Sequence, residues 1–199
     1  RVLFRSLATL REGWDFEAKL AAGADGRGAI PASFWATYSG MANGEGGVVL
    51  LGAKEQPDGT LVARGIPDLE RVERDLWNTL ENPAKISVNL LARDDVERFE
   101  LDGATCLLVK VPKAGRAHRP VYLNGSWERG TYLRVHDGDH LVDKEVARRL
   151  LADSIPGQDG SPVDEFTLAD LDPESVRRYR DFLAARRPDH PFVPLSEEE

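Results

Sequence analysis

The chain has one cysteine and one methionine in 199 residues. A lone thiol, Cys106, cannot close an internal disulfide, and its place in the apolar run Ala104 to Val111 reads as a core position. The absence of disulfides fits a reducing compartment, so a cytoplasmic protein is expected. No apolar run approaches the roughly 18 residues needed to span a bilayer, which excludes a membrane-spanning helix, and no secretory signal pattern follows Arg1. Excess positive charge is also missing, since 34 acids face 26 bases and the net charge is -8. A protein basic over its whole surface is therefore excluded, but the charge is unevenly spread. Residues 153–199 hold 12 acids and 5 bases, whereas residues 1–152 hold 22 acids and 21 bases. Within that near-neutral body, Lys113 to Arg149 carries 8 bases, 5 acids and three of the four histidines.

Hydrophobic residues make up 41% of the chain, enough for one core. Asp15 to Leu20 alternates with period two and predicts a strand with Phe16, Ala18 and Leu20 toward the core. After a glycine-containing loop, Pro31 is expected to open a helix that buries Phe34, Tyr38, Met41 and Ala42 and stops at Asn43-Gly44. Val48 to Gly52 is apolar on both faces and predicts a central strand. Asp68 is placed to cap a helix burying Leu69, Val72, Leu76 and Leu80. Ile86, Val88 and Leu90 alternate as a further strand would. Asp102-Gly103 between Val96 to Leu101 and Ala104 to Val111 predicts a hairpin. A basic loop over 112–120, a short strand over 131–135 and a helix over 143–152 follow. The sum is an α/β (α+β) domain over residues 1–153, a mixed sheet flanked by helices. A linker over 154–167 and a helix within 168–199 follow; the apolar face of that helix is expected to pack on the body, on a second chain or, as a connector, on a further downstream region.

Four groups of residues can carry chemistry. In the strand from Asp15, Glu17 and Lys19 share one face with Asp15, and Glu12 precedes them. Carboxylates of this kind hold Mg²⁺ or Mn²⁺ in phosphodiester cleavage while a lysine offsets developing charge. The same pattern equally suits an exposed strand face of mixed charge. Met41 to Gly47 is a glycine-rich loop, but it runs helix, loop, strand, the reverse of a phosphate cradle, so a structural turn competes with a substrate-facing one. Lys113, Arg116, His118 and Arg119, then Trp127, Arg129, Tyr132 and Arg134, interleave cations with rings, as contacts to phosphates and bases require. A solvated loop has the same composition. His136-Asp137-Gly138-Asp139-His140 offers metal ligands and also reads as a tight turn.

Together, Glu12 to Lys19, Gly40 to Ala53 with its Asn-x-x-Gly-Gly-apolar-Gly pattern, Arg119-Pro120-Val121-Tyr122 and Gly130 to Val135 resemble the Schlafen-type AlbA-like domain, once described as a divergent AAA domain. The resemblance covers residues 6–152. In bacteria such domains open longer proteins described as transcriptional regulators or helicase-related ATP-binding proteins, and some animal relatives cleave RNA with three acids. It implies a nucleic-acid-binding module with DNA or RNA as partner, held by Lys113, Arg116, His118, Arg119, Arg129 and Arg134. For a nuclease it implies Glu12, Glu17 and Glu55 as metal ligands with Lys19 assisting, although Lys54 replaces an acid common there. A protein–protein assembly module, with homo-oligomers formed through the terminal helix, is the third expectation.

Overall fold

The computed structural model describes residues 16–136, 138–155, 170–191 and 193. The chain forms two compact units, Arg1–Pro156 and Gly157–Glu199.

The first unit is built on a four-stranded mixed sheet in the order β1-β2-β6-β5. β1 (Phe16–Lys19) runs parallel to β2 (Gly47–Leu51), and β2 is antiparallel to β6 (Ala104–Val111), which is antiparallel to β5 (Val96–Leu101). A β1-to-β2 parallel step needs a crossover, and α1 (Ser33–Asn43) supplies it. Every residue of β2 is buried, as its two-faced apolarity requires. The β5–β6 turn is Asp102-Gly103, both at positive φ (50° and 77°), the geometry of a two-residue hairpin.

Period two divides the sheet's side chains between two cores. Val49, Leu51, Leu107, Val109 and Val111 face α1 and α2 (Leu69–Leu80), meeting Phe34, Tyr38, Met41, Val72, Leu76 and Leu80. Val48, Leu50, Cys106 and Leu108 face the other way, where Phe16 and Ala18 pack beside the hairpin of β3 (Ala53–Glu55) and β4 (Leu61–Ala63). Burial holds the Cys106 thiol above its ordinary pKa, so it stays protonated and inert. Asp68 caps α2 by accepting from the Arg71 amide at 3.0 Å. β7 (Tyr132–Val135) and β8 (Gly138–Leu141) form a third hairpin, beside α1, followed by α4 (Lys144–Ser154), capped by Asp143; the short α3 (Trp127–Gly130) precedes them.

Three expectations differ from this structure. Leu20 is 42% exposed, because β1 ends at Lys19. Residues 86–90 form no strand beyond an isolated Ile86–Leu123 bridge. Their backbone groups are met instead by the Tyr38 hydroxyl, which accepts from the Leu90 amide at 2.9 Å and donates to the Val88 carbonyl at 3.2 Å. Burial around that hydroxyl pushes its pKa up to about 12. Gly138, Asp139 and His140 belong to β8, paired with β7, rather than to a turn leading into a helix.

The second unit contains α5 (Pro173–Arg186), opened by Asp172 accepting from the Ser175 amide and by Pro173 in the first turn. No residue of α5 is buried, and Tyr179 and Phe182 are exposed. Arg186 stacks over the Phe182 ring at 4.5 Å. Among the described residues no helix is long and apolar enough to cross a membrane.

Candidate nucleic-acid interface

The resemblance rests on segments far apart in sequence, and α1 brings them together through polar side chains on an otherwise apolar helix. Asn43, the asparagine of the glycine-rich pattern, is 3% exposed. Its Oδ1 accepts from the Val121 amide at 2.7 Å, and its Nδ2 donates to the carbonyls of Val121 at 2.8 Å and Tyr132 at 2.9 Å. One turn earlier, Ser39 Oγ donates to the Val121 carbonyl at 2.7 Å and accepts from the Tyr132 amide at 3.0 Å. Two matching segments, 119–122 and 130–135, are thus fastened to the third by side chains that imitate a sheet ladder. The pattern's asparagine works here as a clamp between chain segments, with its amide fully engaged.

A chain of charges lies beside that clamp. Glu17 and Lys19 point to the α1 side of β1, as period two predicts, with Lys19 Nζ 3.0 Å from Glu17 Oε1. Arg134 of β7 reaches Glu17 Oε2 at 2.8 Å and Asp139 Oδ1 of β8 at 3.0 Å, and Thr37 of α1 donates to the other oxygen of Asp139. Burial works against the charge of Arg134, whose side chain is 3% exposed, but its hydrogen bonds to Glu17 and Asp139 outweigh that and hold its pKa above the ordinary arginine value. The hairpin sits this close because position 40 is glycine: a Cβ there would lie 2.9 Å from Asp139 Oδ1 and 3.3 Å from the Arg134 amide nitrogen.

These contacts relocate several expected site residues. Arg134, read as a phosphate contact, is buried inside an ion-pair chain. Glu17, read as an exposed metal ligand, is half-buried with each carboxylate oxygen facing a cation. Glu55 is exposed on β3, which pairs with β4 in a sheet of its own, while Glu17 lies on β1 of the four-stranded sheet. Glu12 lies outside the described residues, as does Asp137 of the histidine-containing motif. Among the described residues no three His, Cys, Asp or Glu side chains are grouped to hold a metal ion. Glu17 is paired with Lys19 and Arg134 in this arrangement, so a divalent cation would have to compete with both for its oxygens. Asp139 likewise accepts from Arg134 and Thr37.

The remaining basic residues do meet. Residues 112–120 leave β6, make a 3₁₀ turn over Arg116–His118, and pass under the C-terminal end of α4. Between loop and helix lies a groove of about 680 Å³ lined by Lys113, Arg116, Arg119, Leu150 and Asp153, among others. Arg116 Nε donates to the Asp153 carbonyl, meeting one of the acceptors a helix leaves open at its C-terminus. Arg119 is held by the carbonyls of Ala114 at 3.0 Å and Gly44 at 3.4 Å. Lys113 pairs with Glu45 at 2.6 Å on the exposed rim, and that hydrogen bond holds Glu45 below the usual carboxylate range. His118 lines an adjoining pocket of about 300 Å³. Arg129 is exposed on α3 and lines neither.

Residues 148–199 match a family model described as a domain of unknown function, DUF8451, which takes in the end of α4 and the whole second unit. Among solved structures, the chain is similar to the solution NMR structure of the N-terminal domain of a protein from Nitrosomonas europaea described as related to the ATP-dependent DNA helicase RecG. Identity is 28% over 68% of this chain and 88% of that one, with a TM-score of 0.45. It is also similar to the crystal structure of the DIP2311 protein from Corynebacterium diphtheriae, at 21% identity over 95% of this chain and 36% of that one, with a TM-score of 0.49. No curated protein matches.

Proposed function

We propose that the first unit is a nucleic-acid-binding module that contacts phosphates through Lys113, Arg116 and Arg119. The observation that carries this reading is the convergence of these three predicted cations on one open groove, in which Asp153 is the only acidic lining residue among the described residues. Cations gathered in a concave site with low-dielectric walls concentrate a polyanion more strongly than the same charges spread over a surface. A guanidinium has five N–H donors, so the carbonyl bonds that orient Arg119 do not exhaust it. The Lys113–Glu45 pair is exposed, and exposed pairs contribute little, so a phosphate can displace Glu45. The near-neutral body then binds through a local patch, with an affinity that falls steeply as salt rises.

The test is fluorescence anisotropy with short labelled RNA and DNA strands over a range of salt, with and without Mn²⁺, scoring binding and cleavage together. Replacing Arg116 and Arg119 by alanine should weaken binding at least tenfold and lower the slope of log affinity against log salt by about 2. Absence of binding at low salt, or binding indifferent to both arginines, overturns the reading. Mn²⁺-dependent cleavage abolished by Glu17→Gln in a folded protein would favour the nuclease of Glu12, Glu17, Lys19 and Glu55 instead.

A further inference from the structure

The phosphate-contacting groove has a neighbour suited to a different part of the same ligand. On the far side of the Arg116–His118 turn, the pocket of about 300 Å³ is walled by Val88, Pro120 and Leu151 and faced by His118 and Tyr122. Arg119 lines both pockets, and its two carbonyl bonds fix it between them. A nucleic-acid strand repeats a flat apolar ring beside each phosphate. One fixed cation between two recesses, the smaller of them faced by the rings of His118 and Tyr122, matches that repeat.

Resting on the nucleic-acid reading above, we infer that the module takes an unpaired strand, seating one unstacked base in the small pocket against Tyr122 with the adjoining phosphate on Arg119. Tyr122 stands on fixed backbone: its amide donates to Ser87 Oγ at 2.9 Å, its carbonyl accepts from the Ser87 amide at 2.9 Å, and it bridges to Thr131. Its backbone is therefore held before a ligand arrives, which leaves only the ring's own torsions to be fixed on binding. The two hydroxyls of the pocket set a tolerant readout. Ser87 Oγ accepts from the Tyr122 amide and keeps its own proton to donate, whereas Ser154 Oγ donates to the Leu151 carbonyl and keeps its lone pairs to accept. One donor and one acceptor suit the edge of any base. In a duplex the bases are stacked on their neighbours and cannot enter a recess of this size without being extruded, so the pocket selects single strands.

The experiment compares the intact protein's affinity for one labelled sequence as a single strand, as a duplex, and as a strand with abasic sites. Single strands should bind at least tenfold tighter than duplex, and abasic sites should remove most of that advantage. Tyr122→Ala should weaken single-strand binding about thirtyfold, the middle of the range for one stacked base, without changing the salt slope, and Tyr122→Phe should restore it. Equal affinity for duplex and single strand, or indifference to abasic sites, overturns this inference while leaving the groove reading intact. Failure of the protein to bind any of the three overturns both. If Tyr122→Ala does not fold, the wild-type comparison with duplex and abasic strands still decides.

Discussion

At the residue scale, the polar groups that α1 buries are the ones the fold leans on most. Asn43→Ala would leave the Val121 amide and the Tyr132 carbonyl without their partner in a site closed to water. Each such orphan costs about 1–3 kcal/mol, so a loss of about 3 kcal/mol is expected, read as a lower urea midpoint with an unchanged m-value. Glu17→Gln places an amide where one carboxylate serves two cations; a loss of about 1–2 kcal/mol is expected, against near zero for an exposed strand position. Arg134→Leu should cost more, about 2–4 kcal/mol, because it leaves two carboxylates facing each other without their cation. Glu45 calls for the opposite experiment. Since Lys113 holds its pKa down, the pair persists above the ordinary glutamate range and is lost as pH falls through Glu45's lowered value, so at neutral pH it competes with phosphate. Glu45→Gln should tighten nucleic-acid binding roughly two- to fivefold. The alternation from Asp15 put Glu17 and Lys19 on one face. Nothing local could show that Arg134, 117 residues away, closes on Glu17. Arg134 sits among rings and cations, and its sequence neighbours look like a binding surface.

At the element scale, structures that announce themselves locally were legible. Asp68 caps the helix that follows it, and Asp102-Gly103 turns the hairpin. Elements decided by distant partners were not. Residues 86–90 have a strand's alternation but give their hydrogen bonds to Tyr38, and the three-residue strands β3 and β4 are too short to show a period. The six expected nucleic-acid contacts divided in the same way. Lys113, Arg116, His118 and Arg119 share one short loop and stay together, whereas Arg129 and Arg134 lie beyond it on separately placed elements. Gly40 sets local and tertiary preference against each other. Alanine in mid-helix normally stabilises by about 1 kcal/mol over glycine. Here its Cβ would press on Asp139 and the Arg134 amide, so Gly40→Ala should destabilise by about 2 kcal/mol. A stabilised variant would show that the β7–β8 hairpin is free to retreat from α1.

At the scale of the whole molecule, charge and packing divide along similar lines. Among the described residues, every buried one lies between Ala21 and Ala147, and the groove is lined from within the first unit. Residues 157–199 carry eleven acids and five bases. A chain ending at residue 156 should therefore melt in one cooperative transition and bind nucleic acid at least as tightly as the full chain, since it sheds net negative charge. Two-step melting, or weaker binding without the second unit, would show that residues 157–199 contribute contacts of their own.

The side-chain clamp on α1 has a consequence in solvent exchange. The amides of Leu90, Val121 and Tyr132 donate to a tyrosine hydroxyl, an asparagine oxygen and a serine hydroxyl, not to carbonyls of a ladder. Ladder amides are protected by many neighbours at once, whereas each of these depends on one removable atom. In deuterium oxide, Ser39→Ala should strip protection from Tyr132 alone and Asn43→Ala from Val121, while β2 and β6 exchange as slowly as before. Three segments spread over more than forty residues would each report on a single helix, one amide at a time.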